Sequence, residues 1–280
     1  MSTPLTLSTG TMPWIANARM YAVDQAAAAA WRELFGWLAA TSNVDLQVID
    51  HAFPAPLSEL WSRPDLGYGF MCGLPFTRAA PKPQPVAAPL LLNAPVPGRP
   101  LYQTRLVVRA ESNYQSLEDT FGSRLGYTVA DSHSGYNALR HHLLPYWRSR
   151  GQLYRESIGP LVTPQRVIEA VLAGDIDVGP LDGYALDLML RHQPEFASQI
   201  RIVASTDAAP IPFLVASPQC PADVVEALRS ALLTFGDDAS CAALREKLCL
   251  QGFAPVHVTD YDVITAWAAE ADAAGYAQPG

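Results

Sequence analysis

The sequence predicts a two-lobed α/β fold with a ligand-binding cleft between the lobes. Strand-like and helix-like patterns alternate from near the start of the chain, and a second alternating series follows a proline-rich interruption at residues 78–100. We assign residues 1–109 and 205–280 to lobe 1 and residues 110–204 to lobe 2. Because the chain then crosses twice between the lobes, the sequence predicts a hinge and a central cleft, where ligands usually bind.

The individual elements follow from hydrophobic periodicity. Residues 24–40 place Trp31, Leu34, Phe35 and Leu38 on one helical stripe, and Thr163-Pro164 is a typical helix start. Helices are predicted at residues 24–40, 57–61, 134–150, 163–173, 183–192, 222–235, 239–250 and 261–274. Strands are predicted at residues 5–9, 44–49, 67–73, 102–109, 125–130, 152–157, 176–179, 200–204 and 212–216.

The order of elements predicts how the strands pair. The β-α-β-α-β series of the first lobe favours parallel strands with helices on both faces. Residues 78–100 contain seven prolines, which lack a backbone donor. We therefore expect a loop or an extended crossing there, with at most a brief edge strand at residues 90–92.

Composition excludes several classes of protein. The 280 residues are 49% hydrophobic and carry a net charge of −8, so the chain folds but lacks the basic face of a nucleic-acid-binding protein. A small anion remains a suitable partner, because backbone N–H groups at a helix N-terminus bind anions without net positive charge. The four cysteines form no CxxC pair, and no complete nucleotide-binding loop is present, so we expect no metal and no cofactor.

Membrane and targeting signals are also lacking in the sequence as written. No apolar run reaches the roughly 18 residues of a membrane span, and residues 1–11 show no basic segment before an apolar core. This observation leaves open a cytoplasmic protein or one whose leader is missing.

The run Asp131-Ser132-His133-Ser134-Gly135-Tyr136 is the main candidate site. It lies where a predicted strand turns into a helix, so free N–H groups and two serine hydroxyls can meet an anion there. Gly135 would let a ligand approach the backbone closely. Taken alone, the same serines could simply cap the helix.

This run, together with two others, resembles the phosphate- and phosphonate-binding components of ABC transporters. The other matching runs are Ser116-Leu117-Glu118-Asp119-Thr120-Phe121-Gly122 and Ala173-Gly174-Asp175-Ile176-Asp177-Val178. The resemblance covers roughly residues 5–250. It implies the type II periplasmic-binding-protein fold, with two mixed sheets flanked by helices, and a non-catalytic, monomeric protein that delivers a small anion to an ABC permease. It also implies a periplasmic location.

The resemblance implies roles for individual residues. Ser132, His133 and Ser134 would bind the anionic head group, and Asp182 would bind an amine or hydroxyl from across the cleft. Tyr68 and Tyr102 would contribute from the first lobe or the hinge. Two departures stand out: His133 replaces a small hydroxyl residue, and a turn containing Ser157 replaces the family's histidine-bearing turn.

Further expectations concern the first strand, the histidine and other classes of function. Thr11 and Trp14 follow the predicted first strand, where α/β sheets carry ligand loops. A His133 cation predicts binding that weakens as pH rises above about 6.5.

One alternative is an enzyme with Ser134 as nucleophile, His133 or His142 as base and Asp182 as orienting group. Another is a ligand-sensing domain of similar shape, although no helix-turn-helix segment is visible.

Overall fold

A computed structural model of the protein describes residues 12–280. The predicted strand at residues 5–9 and the candidate residue Thr11 lie outside the described residues. Within residues 12–280, no helix is both long and apolar enough to cross a lipid bilayer.

The strands and helices alternate as the sequence predicts. The strands are β1 (Trp14–Asn17), β2 (Leu46–Val48), β3 (Leu66–Met71), β4 (Gln84–Leu91), β5 (Leu101–Tyr102), β6 (Thr104–Arg109), β7 (Arg124–Gly126), β8 (Glu156–Ile158), β9 (Gly179–Asp182), β10 (Ile200–Ser205), β11 (Ala209–Pro210), β12 (Phe213–Ala216) and β13 (Leu250–Ala254). The helices are α1 (Gln25–Ser42), α2 (Leu57–Trp61), α3 (Gly73–Arg78), α4 (Ala138–Arg150), α5 (Pro164–Ala173), α6 (Gly183–His192), α7 (Phe196–Gln199), α8 (Ala222–Thr234), α9 (Ala242–Lys247) and α10 (Asp262–Ala273).

The main sheet of lobe 1 is mixed and has the strand order β13-β4-β12-β3-β1-β2. β1 pairs in parallel with β2 and β3, which confirms the predicted β-α-β arrangement. The strands β12 and β13 return from the C-terminal part of the chain and pair antiparallel to their neighbours. Aromatic rings of α1 and β3 fill the space below this sheet, with Trp31 and Phe70 in edge contact at 5.0 Å between ring centroids.

The prediction of a loop or an extended crossing, with at most a brief edge strand at residues 90–92, is wrong in the length and position of the strand, which covers residues 84–91. Those residues form β4, an inner strand between β12 and β13. Pro85 pairs with Val215 and Pro89 with Phe253, and the register shifts close to both pairs. A strand can accept prolines at such irregularities because the missing N–H is not needed for the regular ladder. Buried Val86, Ala87 and Ala88 supply the apolar faces that the sheet requires.

Lobe 2 is built on a smaller sheet. β6 lies between β10 and β9 and pairs antiparallel with both. β7 pairs in parallel with β8, and a parallel bridge from Leu125 to Val178 links these two strands to the β9 side. Arg124 is held by Asp177, with Nε to Oδ2 at 3.0 Å, so the second aspartate of the run Ala173–Val178 has a structural role here.

The two connections between the lobes run side by side. β5 and β11 pair antiparallel through Tyr102 with Ala209 and Leu101 with Pro210. We propose that this pair is the hinge, with the lobe boundaries as predicted from the sequence. The C-terminal α10 packs against both α3 and α4, and the buried Arg140 of α4 bonds to Asp272 and to the carbonyl of Tyr276.

Candidate functional site

A cavity of about 700 Å³ lies between the two lobes. Lobe 1 contributes the segment after β1, part of α1, the loop after β2, and Cys72 at the start of α3. Lobe 2 contributes the start of the helix near Ser132, the loop before α5, and the end of β9. The polar and charged residues that line the cavity include Asn17, Arg19, Arg32, Asp50, His51, Thr128, Asp131, Ser132, Ser134, Thr163 and Asp182.

The Ser-His-Ser-Gly run forms the start of a long helix whose end opens into this cavity. Residues His133–Asn137 make a π-helical turn that continues directly into α4. Ser132 is extended and caps this turn, because its Oγ accepts the Gly135 N–H at 3.1 Å. The Ser134 N–H has no partner within residues 12–280, and both Ser132 and Ser134 line the cavity. The turn therefore presents a partial positive charge, an N–H group and hydroxyls to an anion.

Gly135 is required for packing rather than for direct approach of a ligand. A Cβ atom at this position would lie 1.8 Å from Oγ1 of Thr128 and 2.7 Å from its Cβ. Thr128 is buried and lines the same cavity, and its backbone N–H donates to the Gly135 carbonyl at 3.1 Å. The missing side chain of Gly135 thus lets the strand before the loop and the helix start pack closely together.

His133 points away from the cavity. Its ring stacks against Trp267 of α10 with centroids 5.5 Å apart, and Nδ1 lies 3.1 Å from Nδ2 of Asn137. Burial lowers the pKa of His133 to about 3, so the imidazole is neutral at physiological pH. Ligand binding is therefore not expected to depend on pH through a His133 cation. The backbone of His133 still belongs to the helix start, where its N–H donates to Cys72 Sγ at 3.3 Å.

Asp182 lines the cavity at the end of β9, in the same lobe as the helix start and not across the cleft from it. One carboxylate oxygen caps α6 by accepting the Tyr184 N–H at 2.9 Å and the Ala185 N–H at 3.1 Å. The other accepts from the Tyr21 hydroxyl of lobe 1 at 3.2 Å. Burial raises the pKa of Asp182 to about 6, although these hydrogen bonds favour the ionised form.

Four other predicted site residues do not line the cavity. Tyr68 and Tyr102 are almost fully buried, and their hydroxyls have no hydrogen-bond partner within residues 12–280. Trp14 begins β1 and packs on the lobe 1 core. Ser157 lies in β8 on the outer side of lobe 2, where its Oγ donates to the carbonyl of Pro279.

Arg19 is the functional candidate that sequence reasoning missed. It follows β1, whose carboxyl end reaches the cavity through Asn17 and the turn Arg19–Tyr21. The other lining arginine, Arg32, is paired with Asp50 at 3.0 Å, whereas Arg19 has no carboxylate partner within residues 12–280. Arg19 Nη1 donates to the Ala55 carbonyl, and partial burial lowers its pKa while the guanidinium stays charged. Correct placement of β1 would have pointed to this residue.

The raised pKa of Asp182 predicts a pH dependence of stability. Between about pH 4 and pH 6 the folded protein binds more protons at this group than the unfolded chain does. Its contribution to the free energy of unfolding therefore falls as pH rises through this window. Asp182→Asn keeps the capping oxygen but does not titrate. We therefore expect the free energy of unfolding of the variant, relative to that of the parent, to increase by roughly 2 kcal/mol as the pH is raised from about 4 to about 7. Urea unfolding at several pH values measures this difference, and parallel pH profiles for the two proteins would contradict it.

The comparisons with known proteins agree with this geometry. Residues 22–261 match the family described as the periplasmic substrate-binding protein of phosphonate ABC transporters. The match spans most of the chain, and the chain belongs to this family of substrate-binding proteins. It is therefore a two-lobed, type II solute-binding component of an ABC-type transporter, a class that is not an enzyme class. A search of the curated proteins found no match.

Solved structures show the same fold at low sequence identity. The binding-protein component of a phosphonate ABC transporter from Pseudomonas aeruginosa aligns with a TM-score of 0.73 and 14% identity, over 91% of this chain and 86% of that one. PhnD1 from Prochlorococcus marinus, in complex with methylphosphonate, aligns with a TM-score of 0.69 and 16% identity, over 92% and 98% of the two chains. XAC2383 from Xanthomonas citri, bound to ATP, aligns with a TM-score of 0.60 and 20% identity, over 92% and 96%.

Proposed function

We propose that this protein binds the phosphoryl or phosphonyl group of its ligand at the start of the helix that begins with Ser132–Gly135. One observation carries the proposal: a capped helix N-terminus with two serines opens into the interlobe cavity that Arg19 of lobe 1 also lines. A tetrahedral anion needs several donors, and the helix dipole, the Ser134 N–H, the hydroxyls and a guanidinium supply them. The methylphosphonate bound to the structurally similar PhnD1 agrees with a ligand of this class.

Asp182 defines a second part of the proposed site. Its carboxylate lines the same cavity, so a bound anion without a compensating cation would meet electrostatic repulsion above pH 6. We propose that Asp182 binds an amine or hydroxyl of the ligand. Asp182→Asn then weakens binding of an aminoalkyl phosphonate and strengthens binding of an alkyl phosphonate, which calorimetry with the two compounds distinguishes.

The family supports a proposal about the location and the partner of this protein. Its members are periplasmic components of ABC transporters. We propose that this protein acts in the periplasm as a monomer and delivers its ligand to a membrane permease. Association with a candidate ABC permease, measured in proteoliposomes with and without ligand, tests this role.

Thermal denaturation with a panel of anions tests the binding proposal. At about 100 times the dissociation constant a ligand adds roughly 2.7 kcal/mol, which raises the Tm by about 5–10 °C for a chain of this size. We expect phosphate or a phosphonate to produce this rise and acetate or sulfate to produce less. Ser134→Ala should reduce the rise, whereas Ser230→Ala, an exposed serine of α8, should leave it unchanged. An unmoved Tm with every phosphate and phosphonate would refute the proposal.

A further inference from the structure

One side of the cavity is lined by apolar side chains. We define the apolar wall as Val48, Ile49, Phe53, Pro54, Leu57 and Trp61, which come from the end of β2, the following loop and α2. Val48 is 37% exposed and Phe53 46% exposed, and both line the cavity. Exposed apolar surface in a concave site is typical of a surface that a ligand covers.

The size of the cavity also exceeds what a simple head group needs. About 700 Å³ corresponds to on the order of 20 water molecules, at roughly 30 Å³ each. Pockets of roughly 300–1,000 Å³ enclose organic ligands of drug-like size. A phosphate or methylphosphonate at the Ser132–Gly135 turn would leave most of this volume, including the apolar wall, unfilled.

Two polar groups beside the apolar wall, Arg32 and His51, are engaged within the protein, and a third, Arg19, is the proposed partner of the anionic head group. Arg32 Nη2 bonds to Asp50 Oδ1 at 3.0 Å, and a ring nitrogen of His51 lies 2.8 Å from the Pro56 carbonyl. These groups therefore offer little free charge to the part of a ligand that contacts the wall. An uncharged, apolar group fits this surface better than a second anion or a cation.

Lobe 2 covers the wall from the opposite side. Val162 and Pro164, before and at the start of α5, line the same cavity. The guanidinium of Arg166 lies over the Phe53 ring, 5.4 Å from its centroid, and so connects the two lobes beside the wall. A flat group bound on the wall would thus be enclosed between apolar side chains of both lobes, an arrangement that favours rings.

We propose that the ligand is a phosphate or phosphonate whose organic substituent includes, besides the amine or hydroxyl that Asp182 binds, an uncharged apolar ring that packs on the apolar wall. This inference rests on the proposed function, because the phosphoryl or phosphonyl group must occupy the Ser132–Gly135 turn. Phosphonates and phosphate monoesters share this head-group chemistry. Burial of a ring on the wall is expected to strengthen binding on the order of 10- to 100-fold over a methyl substituent.

Calorimetric titration of the full chain with four compounds tests the inference. The compounds are methylphosphonate, phenylphosphonate, phenyl phosphate and benzyl alcohol. Their comparison distinguishes the contribution of the anionic head group from that of the ring, and a phosphonate from a phosphate ester. We expect phenylphosphonate or phenyl phosphate to bind at least 10-fold more tightly than methylphosphonate, and benzyl alcohol to show no measurable binding.

Variants assign the preference to the apolar wall. Phe53→Ala and Val48→Ala should lower affinity for the phenyl compounds and leave affinity for methylphosphonate within about twofold. Both side chains are partly exposed, so their truncation is compatible with folding. Val258→Ala is the matched control, because Val258 is 43% exposed and does not line the cavity.

The outcomes separate this inference from the proposed function. Equal affinity for methylphosphonate and both phenyl compounds would overturn the ring preference and leave the anion site intact. A ring preference that survives in Phe53→Ala and Val48→Ala would overturn the assignment to the apolar wall. Binding of none of the phosphorus compounds would overturn the proposed function itself.

Discussion

Gly135→Ala is expected to lower the affinity for a phosphate or phosphonate by more than 100-fold. The added Cβ would lie 1.8 Å from Oγ1 of Thr128, well inside contact distance, so the helix start has to move away from the strand end. That movement displaces the Ser132 and Ser134 donors, and small displacements of preorganised donors remove most of their effect. Crowding of this kind also destabilises folded proteins by about 1–3 kcal/mol. Calorimetry and urea unfolding measure the two effects separately.

A second substitution tests the steric explanation. Thr128→Gly removes the side-chain atoms nearest to the added Cβ, so the double variant Gly135→Ala with Thr128→Gly should regain part of the lost affinity. Thr128→Gly alone provides the reference for the loss of its own contacts. If the double variant binds no better than Gly135→Ala alone, the clash with Thr128 is not the cause.

Arg19→Gln is expected to weaken anion binding by on the order of 10- to 100-fold. Hydrogen bonds to charged groups contribute about 1.5–3 kcal/mol, and Arg19 is the lining arginine without a carboxylate partner in the part of the chain that the structure describes. Glutamine retains a donor for the Ala55 carbonyl, so the loop after β2 can keep its contact with the turn after β1. Affinity at two ionic strengths measures the change, and the salt dependence should decrease in the variant.

Arg32→Gln is the matched control for this prediction. Arg32 lines the same cavity, but its guanidinium is engaged by Asp50. We expect this variant to bind the anion within about threefold of the parent, because exposed ion pairs contribute only about 0–1 kcal/mol. Similar losses of affinity in both variants would mean that the anion responds to the total electrostatic potential of lobe 1 rather than to a direct contact with Arg19.

Local sequence signals predicted the helices well. Thr163 accepts the Arg166 N–H at 3.3 Å and Pro164 begins α5, as the Thr-Pro pair indicates. The predicted boundaries of α2 and α6 match the structure, and the stripe that includes Trp31 and Leu34 packs into the core. Caps and helical periodicity depend on neighbours within a few residues, so the sequence alone contains this information.

Strands were predicted less well because their pairing partners lie far away in the chain. The segment of β4 was expected to be a loop or an extended crossing with at most a brief edge strand at residues 90–92, and β13 was not predicted as a strand. These two segments nevertheless pair along the edge of the lobe 1 sheet. The prolines of β4 become acceptable only because of where the register shifts in the assembled sheet. Single-segment patterns contain no such information.

The residues of the candidate site were also predicted only in part. Ser132, Ser134, Gly135 and Asp182 were predicted from the sequence and line one cavity in the structure. The direction of the His133 ring depends on Trp267 of α10, more than a hundred residues further along the chain. Arg19 was missed because no strand was predicted at residues 14–17, the segment that leads to it.

The sequence by itself determined the α/β class, the helix starts and the serine-rich turn, because local periodicity, capping and backbone chemistry specify these features. Only the tertiary structure decided which side chains of that turn face the cavity and that Thr128 occupies the space above Gly135. It also decided that Arg19, Asp182 and the apolar wall meet around one volume. The physical reason is that side-chain direction, burial and pKa depend on contacts between distant segments, which exist only once the two lobes have packed.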